Sequence, residues 1–315
     1  MNLSGITMPA KAVLASGLAL TWATMAASPS PAAGAEEKVK WEFEVSSGIE
    51  YDSNISVIQL DTSTANDDFA GLIDAGLSLT APLGAKTKLR AGYDFSQSLH
   101  FDFTNFDIQS HRASAGIGHD FGPVTFDIDY NFAHATLGRK GFLDLNRITP
   151  ALSGFLGRKV FVRLAYDYTD KNFLNRTARD ATVNAVGVSL YYFLDGTRSY
   201  FTTTYRYKDE NATAAEFDYR GHDLRLRYTR KFPFGADEAR FRIGGRYEKR
   251  NYRSVTPSIG QIRDDDRLRF ETSLEIPISR HLFAEVEYEF DDFSSNLPSA
   301  DFRQHLVSGR LGIRF

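Results

Sequence analysis

The most constraining feature of this sequence is a strict alternation of apolar and polar residues. In residues 41–51 one face is apolar, and the other carries Glu42, Glu44 and Glu50. The same alternation recurs in residues 124–132, 160–168, 267–276 and 282–290. A period of two over this length is typical of a β-strand with one apolar and one polar face. The sequence therefore predicts an all-β chain.

Short turn signals divide the alternating segments at regular intervals. They lie at residues 81–84, 120–123, 157–158, 195–197, 233–236 and 279–280. Their Gly, Pro and Asp residues supply the backbone angles that tight hairpins need. An apolar-face tyrosine keeps the same rhythm, once in each predicted hairpin: Tyr51, Tyr93, Tyr130, Tyr168, Tyr207, Tyr247 and Tyr288. This spacing indicates a hairpin repeated seven times.

Seven hairpins predict fourteen strands. Their expected spans are 41–53, 66–80, 86–99, 106–119, 123–134, 144–156, 159–170, 180–194, 198–209, 217–231, 238–252, 265–278, 281–291 and 302–315. The alternative is a soluble sandwich or propeller. Tight turns are expected to alternate with longer connections at 54–65, 171–179, 208–216, 253–264 and 292–301. That asymmetry favours an antiparallel transmembrane β-barrel, with short periplasmic turns and longer outer loops. A closed barrel also satisfies every backbone hydrogen bond in lipid.

The N-terminus reads as an export signal. Lys11 is followed by an uncharged apolar stretch, and residues 33–35 offer a small-residue cleavage site before Glu36. A membrane anchor is the competing interpretation. Cysteine is absent, which excludes a lipid-anchored lipoprotein and any disulfide. We therefore predict a cleaved signal peptide over residues 1–35, a single barrel domain over 36–315, and localisation in the outer membrane of a Gram-negative cell.

Charge and hydropathy exclude two other classes of protein. The chain has 37 basic and 40 acidic residues, a balance that gives no reason to expect a nucleic-acid partner. The mean hydropathy is −0.32, and the longest uncharged run after the signal, residues 181–194, is shorter than the ~18 residues of a spanning helix. The expected surroundings are outer-membrane lipid, reached with the help of the barrel-assembly machinery.

The polar face of the predicted barrel points into its lumen and carries unevenly distributed charge. The candidate lumen-facing charges are Arg225, Arg227, Arg240, Arg242, Arg246, Arg267, Arg269, Glu285, Glu287 and Glu289. A wall of arginine near carboxylates would set up a transverse field that sorts solutes by charge. Alternatively, neighbouring strands form cross-strand ion pairs that fill and stiffen the interior.

Other polar residues give no sign of catalysis. The seven histidines are scattered without the spacing of a metal site or a catalytic triad. The acidic clusters at 264–266 and 291–292 are expected to be solvated loop charge, with a divalent-cation site as the alternative. We expect no enzyme activity, no catalytic residue, no metal and no cofactor. The outer loops are too short for an obvious plug, which favours an open lumen.

Three short motifs resemble the surface lipoprotein assembly modifier (Slam) family. They are Tyr51-Asp52-Ser53-Asn54, Arg263-Asp264-Asp265-Asp266-Arg267 and Ser294-Ser295-Asn296. The chain then ends on Phe315, which resembles the closing-strand signal that the barrel-assembly machinery reads. The resemblance covers residues 41–315.

The resemblance implies a barrel that helps to move lipoproteins across the outer membrane. Members of the family usually carry a periplasmic helical-repeat domain before the barrel, whereas only residues 36–40 precede the first strand here. Either a separate periplasmic partner supplies that part, or this barrel has a simpler function. The leading hypothesis is transport or export across the outer membrane, with a lipoprotein or periplasmic protein as partner. A porin-like diffusion channel is the first alternative, and a structural or adhesive barrel is the second.

Overall fold

The computed structural model describes residues 38–315, which form a closed barrel of fourteen antiparallel strands. The predicted signal peptide lies outside these residues. The strands are β1 Lys40–Asp52, β2 Asp68–Pro82, β3 Thr87–His100, β4 Ile108–Asp120, β5 Thr125–Leu137, β6 Lys140–Leu156, β7 Val160–Phe173, β8 Ala181–Asp195, β9 Ser199–Ala212, β10 Tyr219–Phe234, β11 Asp237–Thr256, β12 Gln261–Pro277, β13 Leu282–Ser295 and β14 Phe302–Arg314. The predicted fold class and strand number are confirmed.

Each strand pairs with its sequence neighbours, and β1 pairs with β14 to close the barrel. The seam runs from Glu44 opposite Arg314 to Asp52 opposite Leu306. The alternation read from the sequence separates the two faces of the wall. Leu77, Ile128 and Val286 are more than 40 % exposed on the outside, as lipid-facing side chains must be.

The two ends of the barrel differ. Six short connections, two to four residues long, lie at the end that also carries Phe315, which is the periplasmic end. Most connections at the other end are longer and contain a 3-10 turn, as in residues 101–107, 174–180, 213–218 and 296–301. In each of these four, a closing aspartate accepts a backbone N–H from the end of the preceding strand, at 2.6 to 3.2 Å.

Two outer connections differ from the predicted pattern. The expected loop between β5 and β6 is a two-residue turn in which Gly138 and Arg139 both have positive φ, as a type I′ turn requires. A Cβ at position 138 would lie 2.8 Å from the Asn105 carbonyl oxygen, so glycine is needed there. The expected loop 253–264 is mostly strand, with only residues 257–260 outside β11 and β12. The alternation of tight and long connections is therefore not strict.

A ring of hydrogen-bonded tyrosines surrounds the barrel wall, with most of its members near the middle of their strands. On every odd-numbered strand a tyrosine donates to, or shares a hydrogen bond with, a polar residue that lies on, or just before, the following strand. The pairs are Tyr51–Asp67, Tyr93–His111, Tyr130–Asn146, Tyr166–Asn184, Tyr205–His222, Tyr247–Asp266 and Tyr288–His305. The predicted rhythm is right, but Tyr166 and Tyr205 take the places expected for Tyr168 and Tyr207.

None of the helical turns within residues 38–315 has the length and apolar character of a membrane-crossing helix.

Candidate functional site: the barrel interior and its outer mouth

The ten predicted lumen charges lie on the inward face of β10 to β13, where they form rows across neighbouring strands. One row runs from Arg225 to Arg246 and Arg269, which lie directly opposite one another on β10, β11 and β12. Like charges placed directly opposite each other repel. Such a row is therefore stable only if carboxylates reach it from other positions.

Carboxylates do reach two arginines of this row, Arg246 and Arg269. Arg246 binds Asp223 at 2.6 Å and Glu248 at 3.0 Å. Arg269 binds Glu289 at 3.0 Å and Asp291 at 2.6 Å, and Arg267 binds Asp291 as well. Arg267, Arg269 and Asp291 are at most 4 % exposed. These groups are ion pairs withdrawn from water, where removal of one partner is far more costly than at the surface.

Several ion pairs skip a strand and connect second neighbours along the wall. Arg227 of β10 binds Glu271 of β12, and Arg242 of β11 lies 3.6 Å from Glu285 of β13. Other ion pairs join adjacent strands, as where Arg240 of β11 binds Glu275 of β12, at 3.4 Å. Glu287 lies 3.4 Å from Arg310 of β14. The geometry thus supports the cross-strand pairing hypothesis more than a free transverse field.

The opposite wall carries a smaller network of the same kind. Arg90 of β3 reaches two strands along to Asp127 at 2.8 Å and Asp129 at 2.9 Å. On β1, Glu44 accepts a bond from Arg314 at 2.6 Å, and Glu50 is 2 % exposed. The interior is therefore lined by packed, paired charges on several sides.

Within the acidic clusters, Asp265 and Asp291 are not the solvated loop charge that the sequence had suggested, whereas Asp264 and Asp266 have 59 % and 43 % of their side chains exposed. Asp265 and Asp291 are each 1 % exposed. Asp265 binds Arg263 at 2.8 Å, while Asp264 and Asp266 bind Lys249 at 2.6 and 2.7 Å. No group of three or more His, Asp or Glu within residues 38–315 is arranged to hold a metal ion. The carboxylates are used by basic side chains instead.

The first outer connection, residues 53–67, folds into the mouth of the barrel and is called here the plug loop. Ser56–Val57 pairs with Thr62–Ser63 in a miniature hairpin, and a 3-10 turn, Ile58–Leu60, joins the two. Ile55, Ser56 and Val57 are each 1 % exposed. The sequence predicted no obvious plug among the outer loops, whereas this loop packs into the mouth of the barrel.

The plug loop packs against two separate parts of the wall. Val57 belongs to an apolar cluster with Ile108, Leu143 and Phe173, and Leu60 packs against the same cluster. These wall residues lie at the outer ends of β4, β6 and β7. Ile58 joins a second cluster, formed by Phe293, Ala300 and Phe302 around β13 and β14. Since β1 to β3 separate these regions on one side and β8 to β12 on the other, the loop spans the mouth.

Asp61 fixes the plug loop between two arginines. Arg263 of β12 lies 2.8 Å from Asp61, and Arg179, which precedes β8, lies 2.7 Å from it. Burial alone would raise the pKa of Asp61, but hydrogen bonds and charge from Arg263 and Arg179 outweigh it and hold the pKa below its usual value. Asp61 also has a φ of 55°, which aspartate tolerates better than most residues.

Both arginines of this contact are held in place by aromatic rings. The Arg179 guanidinium lies 4.1 Å from the centre of the Phe217 ring and donates to the Gln59 carbonyl at 2.9 Å. The Arg263 guanidinium lies 4.7 Å from the Tyr252 ring centre. Cation–π contacts of this kind orient the guanidinium groups before an anion binds. We refer to Asp61, Arg179 and Arg263 as the latch.

The three motifs singled out in the sequence meet around the plug loop. Asp52, in the first motif, accepts two hydrogen bonds from the Gln304 amide at 2.8 and 2.9 Å, and Ser56 donates to the same Gln304. The second motif supplies Arg263 to the latch. The third motif supports it, because Ser295 donates to Asp265 at 2.6 Å.

The rest of the first motif forms the hinge of the plug loop. Tyr51 donates to Asp67 at 3.2 Å across the base of the loop. Ser53 accepts the His305 N–H at 2.7 Å. Asn54 donates to the Arg303 carbonyl at 3.0 Å and accepts the Ala65 N–H at 2.9 Å. Sequence reasoning identified these residues but not the contacts that they make.

An aromatic patch lines the periplasmic end of the interior. Phe155, Phe161, Tyr191, Phe193 and Tyr200 project inward from β6 to β9, and successive ring centres lie 5.1 to 6.1 Å apart. Because the rest of the interior is largely polar, this patch offers the main apolar surface near that opening. The sequence analysis missed it, although the inward positions of these residues follow from the strand alternation.

Phe315 lies at the barrel seam. Its backbone exchanges two hydrogen bonds with Phe43, at 2.9 and 3.1 Å, and its ring stacks on His281 with centres 4.8 Å apart. The side chain is 65 % exposed. Its role as an assembly signal stays a prediction.

Comparison with protein families gives one match over most of the chain. The family model described as surface lipoprotein assembly modifier matches residues 41–306. A comparison with curated proteins finds no match.

Solved outer-membrane barrels share the fold at low sequence identity. An anion-selective porin from Comamonas acidovorans is similar with a TM-score of 0.50 and 10 % identity, covering 88 % of this chain and 99 % of that one. OmpT of Vibrio cholerae has a TM-score of 0.51 and 8 % identity, covering 88 % and 97 %. CdiB from Acinetobacter baumannii has a TM-score of 0.50 and 12 % identity, covering 90 % of this chain but 61 % of that one. Identities this low establish the fold alone.

Proposed function

The chain belongs to the surface lipoprotein assembly modifier family, and from this premise we propose that it exports lipidated proteins through the outer membrane, as a conduit closed at rest by the plug loop. The observation that carries the proposal is the latch. The family motifs lie in the outer mouth, and their side chains hold the plug loop across it.

A closed mouth favours gated export over steady diffusion. A diffusion pore needs a continuous water-filled path, whereas residues 55–58 occupy the outer end and paired charges line the interior. A gated conduit needs a closed state that a substrate can open. A loop held by side-chain contacts, apolar and polar, rather than by the strand ladder can provide such a state without unfolding the wall.

The aromatic patch suits the apolar part of a lipidated substrate. Transfer of acyl chains and apolar peptide segments out of water is favourable, by about 25 cal/mol per Å² of apolar surface buried. Phe155 and Phe161 are only partly buried on the inward face near the periplasmic opening. In the proposed function, this patch receives the apolar segment before the substrate reaches the latch.

Surface labelling tests the export role directly. Cells with and without this protein are fed a clickable fatty acid, and their lipidated proteins are compared before and after protease treatment of intact cells. The proposal expects at least one lipidated protein to become protease-resistant in the deletion strain while its total amount is kept. An unchanged set of surface-exposed lipidated proteins would contradict it.

Conductance separates the conduit from a porin. In a planar bilayer we expect the purified barrel to be nearly silent, and a variant with residues 55–65 replaced by Gly-Ser-Gly to conduct ions steadily. Exchange of Pro257 and Ser258 for glycine, in an exposed outer turn, is the matched control and should remain silent. Steady conductance of the unmodified barrel would favour the porin alternative.

A further inference from the structure

We propose that the outer mouth is a peptide-binding site that the plug loop fills from within, and that a turn-forming segment of the exported polypeptide with apolar residues followed by a carboxylate replaces it there. This inference rests on the proposed function for the source of the peptide. The site itself is argued from contacts that do not depend on export.

The first argument is the form of the occupant. Residues 55–61 read Ile-Ser-Val-Ile-Gln-Leu-Asp and are held mainly by their own side chains. Val57 and Leu60 enter one apolar cluster, Ile58 enters the other, and Asp61 reaches the two arginines. A short segment whose apolar side chains enter two separate clusters, and whose one carboxylate is paired, resembles a bound peptide ligand.

The second argument is that the receiving surface is formed by the wall and other loops. Ile108, Leu143 and Phe173 are inward residues of the barrel strands, and Arg263 is held by Asp265 and Tyr252. Phe217 positions Arg179. None of these residues belongs to the plug loop. Removal of the loop would leave two apolar surfaces and two cations facing the mouth.

The third argument is electrostatic. Two guanidinium groups converge on one carboxylate, Asp61, with Asp265 also bound to Arg263. If Asp61 leaves, the local balance becomes positive by one charge. A replacing segment therefore needs an acidic residue, because an uncompensated buried charge is strongly unfavourable. This requirement sets the chemistry of the partner.

Peptide binding to purified protein tests the proposal. A fluorescent peptide of residues 55–61 is titrated into nanodiscs that carry the barrel with residues 55–65 replaced by Gly-Ser-Gly. We expect saturable binding at least tenfold tighter than that of a scrambled peptide of the same composition, which controls for partition into lipid. The peptide with Asn in place of its Asp should also bind at least tenfold more weakly.

The unmodified barrel and a second variant make the test robust against misfolding of the first. The unmodified barrel should bind the peptide at least tenfold more weakly than the loop-replaced barrel, since its own loop competes at high effective concentration. Asp61→Asn in the full chain should give intermediate binding. Equal affinity for all three peptides, or no binding by either variant when both are folded, would overturn the proposal.

A double-mutant cycle assigns the carboxylate contact. Arg263→Gln in the loop-replaced barrel should weaken binding of the Asp peptide about tenfold and leave the Asn peptide unchanged. Equal losses for both peptides would contradict a direct contact. Peptide binding without any change in surface lipidated proteins would keep this site and refute the export role, so the two failures can be told apart.

Discussion

At the scale of single residues, the interior of this barrel is organised by ion pairs out of water. Arg269 binds two carboxylates and is 4 % exposed, whereas Arg303 binds Asp292 at 3.3 Å with 76 % of its side chain exposed. Arg269→Ala would leave Glu289 and Asp291 with less compensation. We expect a loss of about 3–5 kcal/mol in the free energy of unfolding, measured by urea titration in lipid vesicles. Arg303→Ala should cost less than about 1 kcal/mol. Equal losses would mean that the interior is more hydrated than its packing indicates.

The latch gives a second prediction at this scale, on pH. The arginines lower the pKa of Asp61 in the closed state, so closure gains stability from the ionised carboxylate above its open-state pKa of about 3.9. That stability is lost as the pH falls through the lower pKa that Asp61 has in the closed state. Planar-bilayer current should therefore remain low between about pH 5 and 7 and rise only below about pH 3.9.

Asp61→Asn should conduct already at pH 7. Asp102→Asn changes an exposed aspartate of the next outer connection and is the control, and a current that rises equally in both variants would contradict the latch.

At the scale of strands and hairpins, the alternation determines which side chains meet lipid. Val286 is 58 % exposed on the outer face of β13, two residues before Tyr288 of the tyrosine ring. Val286→Arg should lower the free energy of unfolding by about 2–4 kcal/mol, and Ile128→Arg should do the same on β5. Leu156→Arg, at the periplasmic end of β6, should cost about 0–1 kcal/mol because a charge near the interface stays hydrated. A similar cost at positions 156 and 286 would show that the membrane lies elsewhere on the barrel.

At the scale of the whole molecule, closure depends on the meeting of the first and last strands. Phe315 exchanges two backbone hydrogen bonds with Phe43, so the last residue completes the seam at the periplasmic end. Deletion of Phe315 should reduce the amount of heat-modifiable, folded barrel in outer-membrane fractions several-fold at equal synthesis. Phe234→Ala, which removes an exposed ring at the periplasmic end of β10, is the control. Normal assembly of the shortened chain would contradict a terminal signal.

The barrel, its fourteen strands and their inward and outward faces could be predicted from the sequence alone. These properties follow from local patterns, because a period of two and a tight-turn residue act over a few positions. Predicted strand ends differ from the observed ends by a few residues at most positions. The lumen charges were identified for the same reason, since facing is a consequence of alternation.

The contacts inside the barrel could be established only from the tertiary structure. Asp61 and Arg263 lie 202 positions apart in the chain, and Asp52 and Gln304 lie 252 apart. Such pairs form only when the barrel closes and brings β1 beside β14. The plug loop has no period of its own, and its conformation depends on apolar surfaces from distant strands. Local sequence patterns carry no information on those contacts, so a closed mouth could not be distinguished from an open one.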